Sequence, residues 1–376
     1  MYSKILLRYG ELTLKGKNRN TFINLLAKNI TKIVNEKPFV EYDRMYLSYS
    51  EDNMKKLTNV FGLTSFSPVI VCDNNLESIK NLALKSLKKE TKTFKIATRR
   101  SNKNFKYNSQ EMNNLIGSFI LKNSSVKVDV HNPDQIINVE IRAKETYVFS
   151  DNIRLYGGLP VGVSGSTLHL MSGGIDSPVA AFELMKRGLN VSFLSFVTPP
   201  QTDETTISKL KRLIQKLSNF QTKTIWYLAD YSNLMNYISL ISNEAYKITI
   251  MRRSFYRIAC KIAAKRKIPA ISNGENIGQV ASQTLESLEV ISKEADRLIF
   301  RPVLTNDKID TINLAKQIGT YEISIEKANE TCELFAPKEP VTKPKLEEVL
   351  KLEQELDMLD ELENELIQNK IQIIKF

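Results

Sequence analysis

Apolar positions over the first 150 residues recur in two rhythms. Ser3–Tyr9 reads as a strand, Asn20–Ile30 has helical spacing, and Tyr42, Arg44, Tyr46 and Ser48 mark alternation through Val40–Ser50. These predict a small α+β unit. A second unit follows, with a helix over Leu76–Lys89, a strand over Thr93–Ala97 and a helix over Ser109–Leu121. Strands over Lys127–Val130, Ile136–Ile141 and Glu145–Ser150 complete it. The glycine-rich run "GGLPVGVSG" (Gly157–Gly165) then marks a boundary.

Beyond it, strand and helix alternate: strand Thr167–Met171, helix Ser177–Arg187, strand Val191–Phe196, helix Thr205–Leu217 and strand Lys223–Leu228. A long helix over Tyr246–Arg266 precedes a strand at Ala270–Ser272. This alternation predicts a doubly wound parallel sheet with ligands at the carboxyl ends of its strands. Over Lys345–Lys370, Leu346, Val349, Leu352, Leu356, Leu359, Leu362 and Leu366 recur every three or four positions among acidic residues. That spacing predicts one amphipathic helix, packed on its own domain or paired with another.

At 376 residues the chain suits two or three domains. Charge divides it unevenly. Residues 1–157 carry 26 lysines and arginines against 15 acidic residues, whereas 158–376 carry 27 of each. Coding bias would act on both parts, so the imbalance points to a polyanion partner for the first. The three cysteines, Cys72, Cys260 and Cys332, form no CxxC pair, which gives a zinc or iron–sulfur site no support. No apolar run reaches the roughly 18–20 residues of a membrane span, and a reduced, cytoplasmic protein is expected.

The chemistry concentrates in "LHLMSGGIDSPVAAFELMKRG" (Leu168–Gly188). Gly173 and Gly174 allow consecutive N–H groups to turn inward around an anion, Ser172 and Ser177 can donate, and Pro178 suits the first turn of the next helix. The loop has neither the lysine of GxxxxGK[ST] nor a GxGxxG pattern. SGGIDS resembles the SGGxDS signature of the PP-loop ATP pyrophosphatases, which bind the pyrophosphate part of ATP and cleave between the α- and β-phosphates. Asp176 would then help to organise Mg2+ or the reacting phosphate.

Further segments narrow the resemblance. "RYGELTLKGKNRNTF" (Arg8–Phe22) and "FKIATRRSNKNFKYNSQEMNNLIGSFIL" (Phe94–Leu121) resemble the ferredoxin-like and THUMP segments of the tRNA 4-thiouridine synthetase family. "ITIMRRSFYRIACKIAAKRK" (Ile248–Lys267), "SNGENIGQVASQTLESL" (Ser272–Leu288), "IFRPVLTNDKIDTINLAKQIGTYEISI" (Ile299–Ile325) and "EPVTKPK" (Glu339–Lys345) are similar to later parts of the same family, in order. The resemblance implies an α/β chain: a ferredoxin-like domain (1–53), a THUMP RNA-binding domain (54–157) and a PP-loop domain with a C-terminal amphipathic helix (158–376).

It also implies roles. ATP would contact Leu170, Met171, Ser172, Gly173, Gly174, Asp176, Ser177, Ser195, Phe196, Arg252, Gly274 and Gln283, although Ser195 departs from the histidine common in relatives. Transfer RNA would meet Arg99, Arg100, Lys103 and Lys106, interleaved with aromatic residues, and a second patch of Lys15, Lys17 and Arg19. Cys332, in "NETCELF", falls where relatives place a sulfur-handling cysteine; Thr331 beside it excludes the two-cysteine variant. Asp176 and Cys332 are the expected catalytic residues. The implied reaction adenylates C4 of uridine 8, and persulfide sulfur then displaces AMP to leave 4-thiouridine. Many relatives end in a rhodanese-like domain, to which a secondary role in thiamine thiazole synthesis is tied. This chain has none, so a cysteine desulfurase is the expected sulfur donor and a homodimer the expected assembly. Two alternatives remain. Other PP-loop tRNA enzymes lack the THUMP-like block, and a non-catalytic tRNA-binding protein has no need of Asp176, Arg252 and Cys332.

Overall fold

The computed structural model describes residues 2–329 and 335–376. The chain divides into two compact units, Met1–Gly158 and Leu159–Phe376.

In the first unit, nine strands form one continuous sheet. The strand Leu63–Asp73 joins its two parts. The first residues of this strand pair antiparallel with Lys4–Tyr9, and Ile70–Asp73 pair antiparallel with Glu145–Phe149. The hydrophobic pattern assigns no element between residues 51 and 75, where the structure holds this strand and the helix Glu51–Leu57. Residues 65–70 are all buried, Ser65 and Ser67 among them, so polarity along the strand does not report burial. Helices Leu76–Lys85 and Ser109–Asn123 cover the second part, burying Ile79, Ala83, Met112, Ile116 and Ile120 against Phe94, Ile137 and Val139. The reciprocal hydrogen bonds between Asn108 and Glu111 start the second of these helices.

The second unit is built on a six-stranded sheet. Its order is Leu298–Phe300, Ala270–Ser272, Ser166–Leu170, Asn190–Val197, Ile225–Asp230 and Ile371–Lys375. The first five strands are parallel, as the alternation predicts, and the last is antiparallel. The chain runs from Ser166–Leu170 outward to one side, then returns to place Ala270–Ser272 on the other. The carboxyl end of Ser166–Leu170 is therefore a topological switch point.

The C-terminal segment departs from a single helix. Helices Leu346–Gln354 and Leu359–Asn369 are separated by a turn, and the strand Ile371–Lys375 follows. Tertiary hydrogen bonds hold the turn: Tyr237 donates to Asp357 at 2.6 Å, Met358 N–H donates to Tyr237 Oη at 3.2 Å, and Ser242 donates to Glu355. The leucine stripe packs on the unit's own core, with Val349, Leu352, Leu356, Leu359 and Leu366 buried there. No helix among the described residues is long and apolar enough to cross a membrane.

Candidate functional site

A cavity of about 290 Å3 opens at the switch point. Its floor is the end of the strand Ser166–Leu170 and the loop that leads into the helix Asp176–Lys186. Leu170, Met171, Ser172, Gly173, Gly174, Asp176, Ser177, Phe196, Arg252, Gly274 and Gln283 all line it, so the structure brings eleven of the twelve expected nucleotide contacts to one place. Ser195 is the exception. It is buried, donates to Met171 O at 2.9 Å and accepts from the Trp226 indole at 3.1 Å, and so supports the wall from behind.

Neither Gly173 nor Gly174 adopts a positive φ, so left-handed geometry is not why glycine stands there. Gly274 has a firmer requirement. A Cβ on it would lie 2.6–2.8 Å from the backbone of Asp176 and Ser177. The chain leaving the strand Ala270–Ser272 can thus pass against the start of the helix only because residue 274 has no side chain.

The cavity has a charged end and an apolar end. At the charged end, Lys308 Nζ lies 2.9 and 2.7 Å from the two carboxylate oxygens of Asp176, and Gln279 Nε2 donates to the same carboxylate at 2.9 Å. Asp307 caps the helix Lys308–Gln317 by accepting from Ile309 N–H, which fixes Lys308 at its first position. The loop lacks a lysine of its own, and this one arrives from 132 residues further along. No local spacing could have found it; only the quoted "TNDKID" segment carried it.

One side of the cavity holds a buried carboxylate, Glu275, clamped by Arg252 and Arg301 and accepting from Tyr256 Oη at 3.0 and 3.1 Å. Burial alone would raise the Glu275 carboxyl, but the two arginine charges outweigh it and hold the group below its ordinary value. Burial, with the Glu275 charge, pushes Tyr256 upward. Arg252 also donates to Ser282 at 3.0 Å. Glu275, Arg301 and Tyr256 escape sequence reasoning because their partners are distant in sequence.

At the apolar end, Phe196 and Phe255 stack face to face with centroids 3.9 Å apart, and Tyr231 meets both edge-on. Ile248, Leu194 and Leu210 complete this wall. An apolar aromatic wall joined to a glycine-containing loop at a helix N-terminus suits a nucleotide.

Cys332 lies outside the described residues. The chain before it is well anchored: Asn329 N–H donates to Thr206 Oγ1 at 3.1 Å, and Thr206 lines the cavity. Phe335, after it, packs on the unit's core. Burial raises Cys72 and Cys260 to about 11, in keeping with packing roles.

In the first unit, Arg99, Lys103 and Lys106 are exposed around the end of the strand Thr93–Arg100. Arg100 instead turns inward and donates to the carbonyls of Phe105 and Tyr107 at 2.8 and 3.1 Å, so it shapes this loop. In the second patch Lys17 is exposed, Lys15 lies over Phe22, and Arg19 lies 4.0 Å from the Tyr42 ring centroid. Sequence reading missed Arg8. Burial, reinforced by the charges of Arg44 and Arg99, brings it down to about 10. Its guanidinium donates to Ser67 at 3.0 Å.

The parallel sheet, the lysine-free SGGIDS loop and the aromatic wall beside it define a nucleotide-binding domain of the PP-loop class. Residues 162–358 match the family described as thiamine biosynthesis protein (ThiI), 4–67 its ferredoxin-like domain and 73–151 the THUMP domain. The chain is 62% identical to a probable tRNA sulfurtransferase of Mycoplasmopsis agalactiae and 54% identical to one of Mycoplasmopsis synoviae, each over 99% of both chains. It is also similar to a crystal structure of a 4-thiouridine synthetase–RNA complex with bound ATP, at 35% identity and a TM-score of 0.94, covering both chains fully. This chain belongs to the tRNA sulfurtransferase (ThiI) family.

Proposed function

We propose that this chain converts uridine 8 of tRNA to 4-thiouridine in two steps. ATP bound in the cavity adenylates the C4 oxygen and releases pyrophosphate. Persulfide sulfur then attacks C4, AMP leaves with the oxygen, and an external thiol such as free cysteine cleaves the S–S bond, which releases 4-thiouridine and leaves a disulfide. The observation that carries this reading is the pairing of Asp176 with Lys308 at the loop, at the opposite end of the cavity from the Phe196–Phe255 stack. The phosphates then lie over the helix N-terminus and Lys308, and adenine lies against the aromatic wall.

Magnesium fits this arrangement as a companion of the nucleotide. No group of three or more candidate ligands gathers among the described residues. Of the two carboxylates lining the cavity, Glu275 is clamped by two largely buried arginines, whereas Asp176 is paired with one half-exposed lysine, so Asp176 would hold the ion with the phosphate oxygens as Lys308 shifts to the phosphates. Bound there, Mg2+ would neutralise developing phosphate charge.

Transfer RNA docks on the basic first unit by shape and phosphate charge, around Arg99, Lys103 and Lys106, with Lys15, Lys17 and Arg19 as a second contact. Cys332 handles the sulfur, which a cysteine desulfurase delivers. Asn329, three residues before Cys332 in sequence, bonds to Thr206 of the cavity wall. A cytoplasmic homodimer belongs to the same proposal.

The test incubates unmodified tRNA with the protein, Mg-ATP, cysteine and a desulfurase, then digests the tRNA to nucleosides. 4-Thiouridine is expected. Recovery of 2-thiouridine, lysidine or only uridine would overturn the reading.

A further inference from the structure

Beneath the phosphate loop, the sheet interior carries a polar column. Thr167, His169 and Ser272 stand on the adjacent strands Ser166–Leu170 and Ala270–Ser272, all of them buried. Inner strands of a parallel sheet favour Val, Ile and Leu here, and each polar group must find a partner. Thr167 Oγ1 is 3.1 Å from Ser272 Oγ, which is 3.1 Å from His169 Nδ1. His169 Nε2 is 3.0 Å from both the carbonyl oxygen and the hydroxyl of Ser177, the last residue of SGGIDS.

The Ser177 carbonyl can only accept, so Nε2 carries the ring proton. Nδ1 then accepts from the Ser272 hydroxyl. Burial lowers His169 to about 4, so the ring is neutral under working conditions. Ser177 Oγ also accepts from Ser172 N–H at 3.2 Å and lies 3.1 Å from Leu170 O. The one Nε2 proton is shared between the carbonyl and hydroxyl oxygens of Ser177, and with Ser172 N–H also on the hydroxyl oxygen, Ser177 has its own proton to give. That proton goes to Leu170 O, to Met171 Sδ at 3.4 Å, or to an anion in the cavity that Ser177 lines.

We propose that His169 is a positioning residue: it fixes the Ser177 hydroxyl as a donor toward phosphate, and so sets nucleotide affinity without touching the nucleotide. The inference rests on the reading of the cavity as an ATP site. It separates a functional column from one that merely ties two strands together.

The experiment compares full-length His169→Asn, His169→Gln and His169→Leu in tRNA-dependent pyrophosphate release with ATP varied, with thermal melting of each. Asn reaches only the Nδ1 position and keeps the Ser272 bond. Gln reaches the Nε2 position and keeps the donor to Ser177. H169N and H169L should raise the KM for ATP about tenfold, the value of one hydrogen bond, and H169Q should return it toward wild type. In a Ser177→Ala background, H169N should add nothing further. A wild-type KM in H169N, or an undiminished rise in the S177A background, would overturn the inference alone. A wild-type chain whose pyrophosphate release shows no saturable dependence on ATP would overturn the nucleotide reading, and the inference with it. If H169L does not fold, H169N and H169Q carry the comparison.

Discussion

Lys308 and Asp176 form a two-oxygen ion pair at the mouth of the cavity, with Nζ 2.9 and 2.7 Å from the carboxylate oxygens. The carboxylate is thus already neutralised, and in the proposed reaction the lysine would meet the departing phosphate charge. Lys308→Ala is expected to lower tRNA-dependent pyrophosphate release by about 100-fold, the scale of one lost charge stabiliser. Asp176→Asn should fall comparably, and the double variant should lose less than the product of the two. Steady-state rates with tRNA and Mg-ATP check this.

Gly274 leaves no room for a methyl group against Asp176 and Ser177. Gly274→Ala should displace the loop rather than unfold the unit, costing about 1–3 kcal/mol of stability while raising the KM for ATP. Urea unfolding alongside ATP titration separates the two effects.

Arg99 and Arg100 are neighbours with different work. Arg99→Ala should weaken tRNA binding and reduce the slope of log K against log salt by about one unit. Arg100→Ala removes the bonds to Phe105 and Tyr107 and should instead lower the melting temperature. Binding isotherms at several salt concentrations, with melting curves, test the contrast.

Glu353 accepts from Arg253 at 3.0 and 2.9 Å and from Arg257 at 2.8 Å. Burial would raise its carboxyl, but the arginines bring it below its ordinary value. Its stabilising contribution is therefore complete above the unfolded value of about 4.3 and is lost as pH falls through the lower folded value. Glu353→Gln should cost about 3 kcal/mol near pH 7, and the difference from wild type should shrink in acid. Denaturant midpoints of both proteins across that range measure it.

Cys332→Ser should abolish thiolation and leave tRNA binding intact. Nucleoside analysis beside a binding isotherm decides this, and retained 4-thiouridine would remove the cysteine from the mechanism.

Most of the cavity was legible in the sequence because its floor is local. One strand, one loop and one helix supply Leu170 through Ser177, and periodicity places all three. Lys308, Glu275 and Arg301 were not legible, since each acquires meaning from a partner that the topology delivers. The strand Leu63–Asp73 was hidden by the burial of its polar Ser65 and Ser67, and by Pro68, which argues against an inner strand. The break in the C-terminal helix has no glycine or proline to announce it. It depends on Tyr237, more than a hundred residues upstream.

The matched ferredoxin-like and THUMP regions end and begin at residues 67 and 73, yet both ends fall within Leu63–Asp73. Two domains by ancestry therefore share a backbone ladder. Neither can melt without stripping hydrogen bonds from the other, so the RNA-binding half should unfold and exchange its amide protons as one cooperative block with its neighbour.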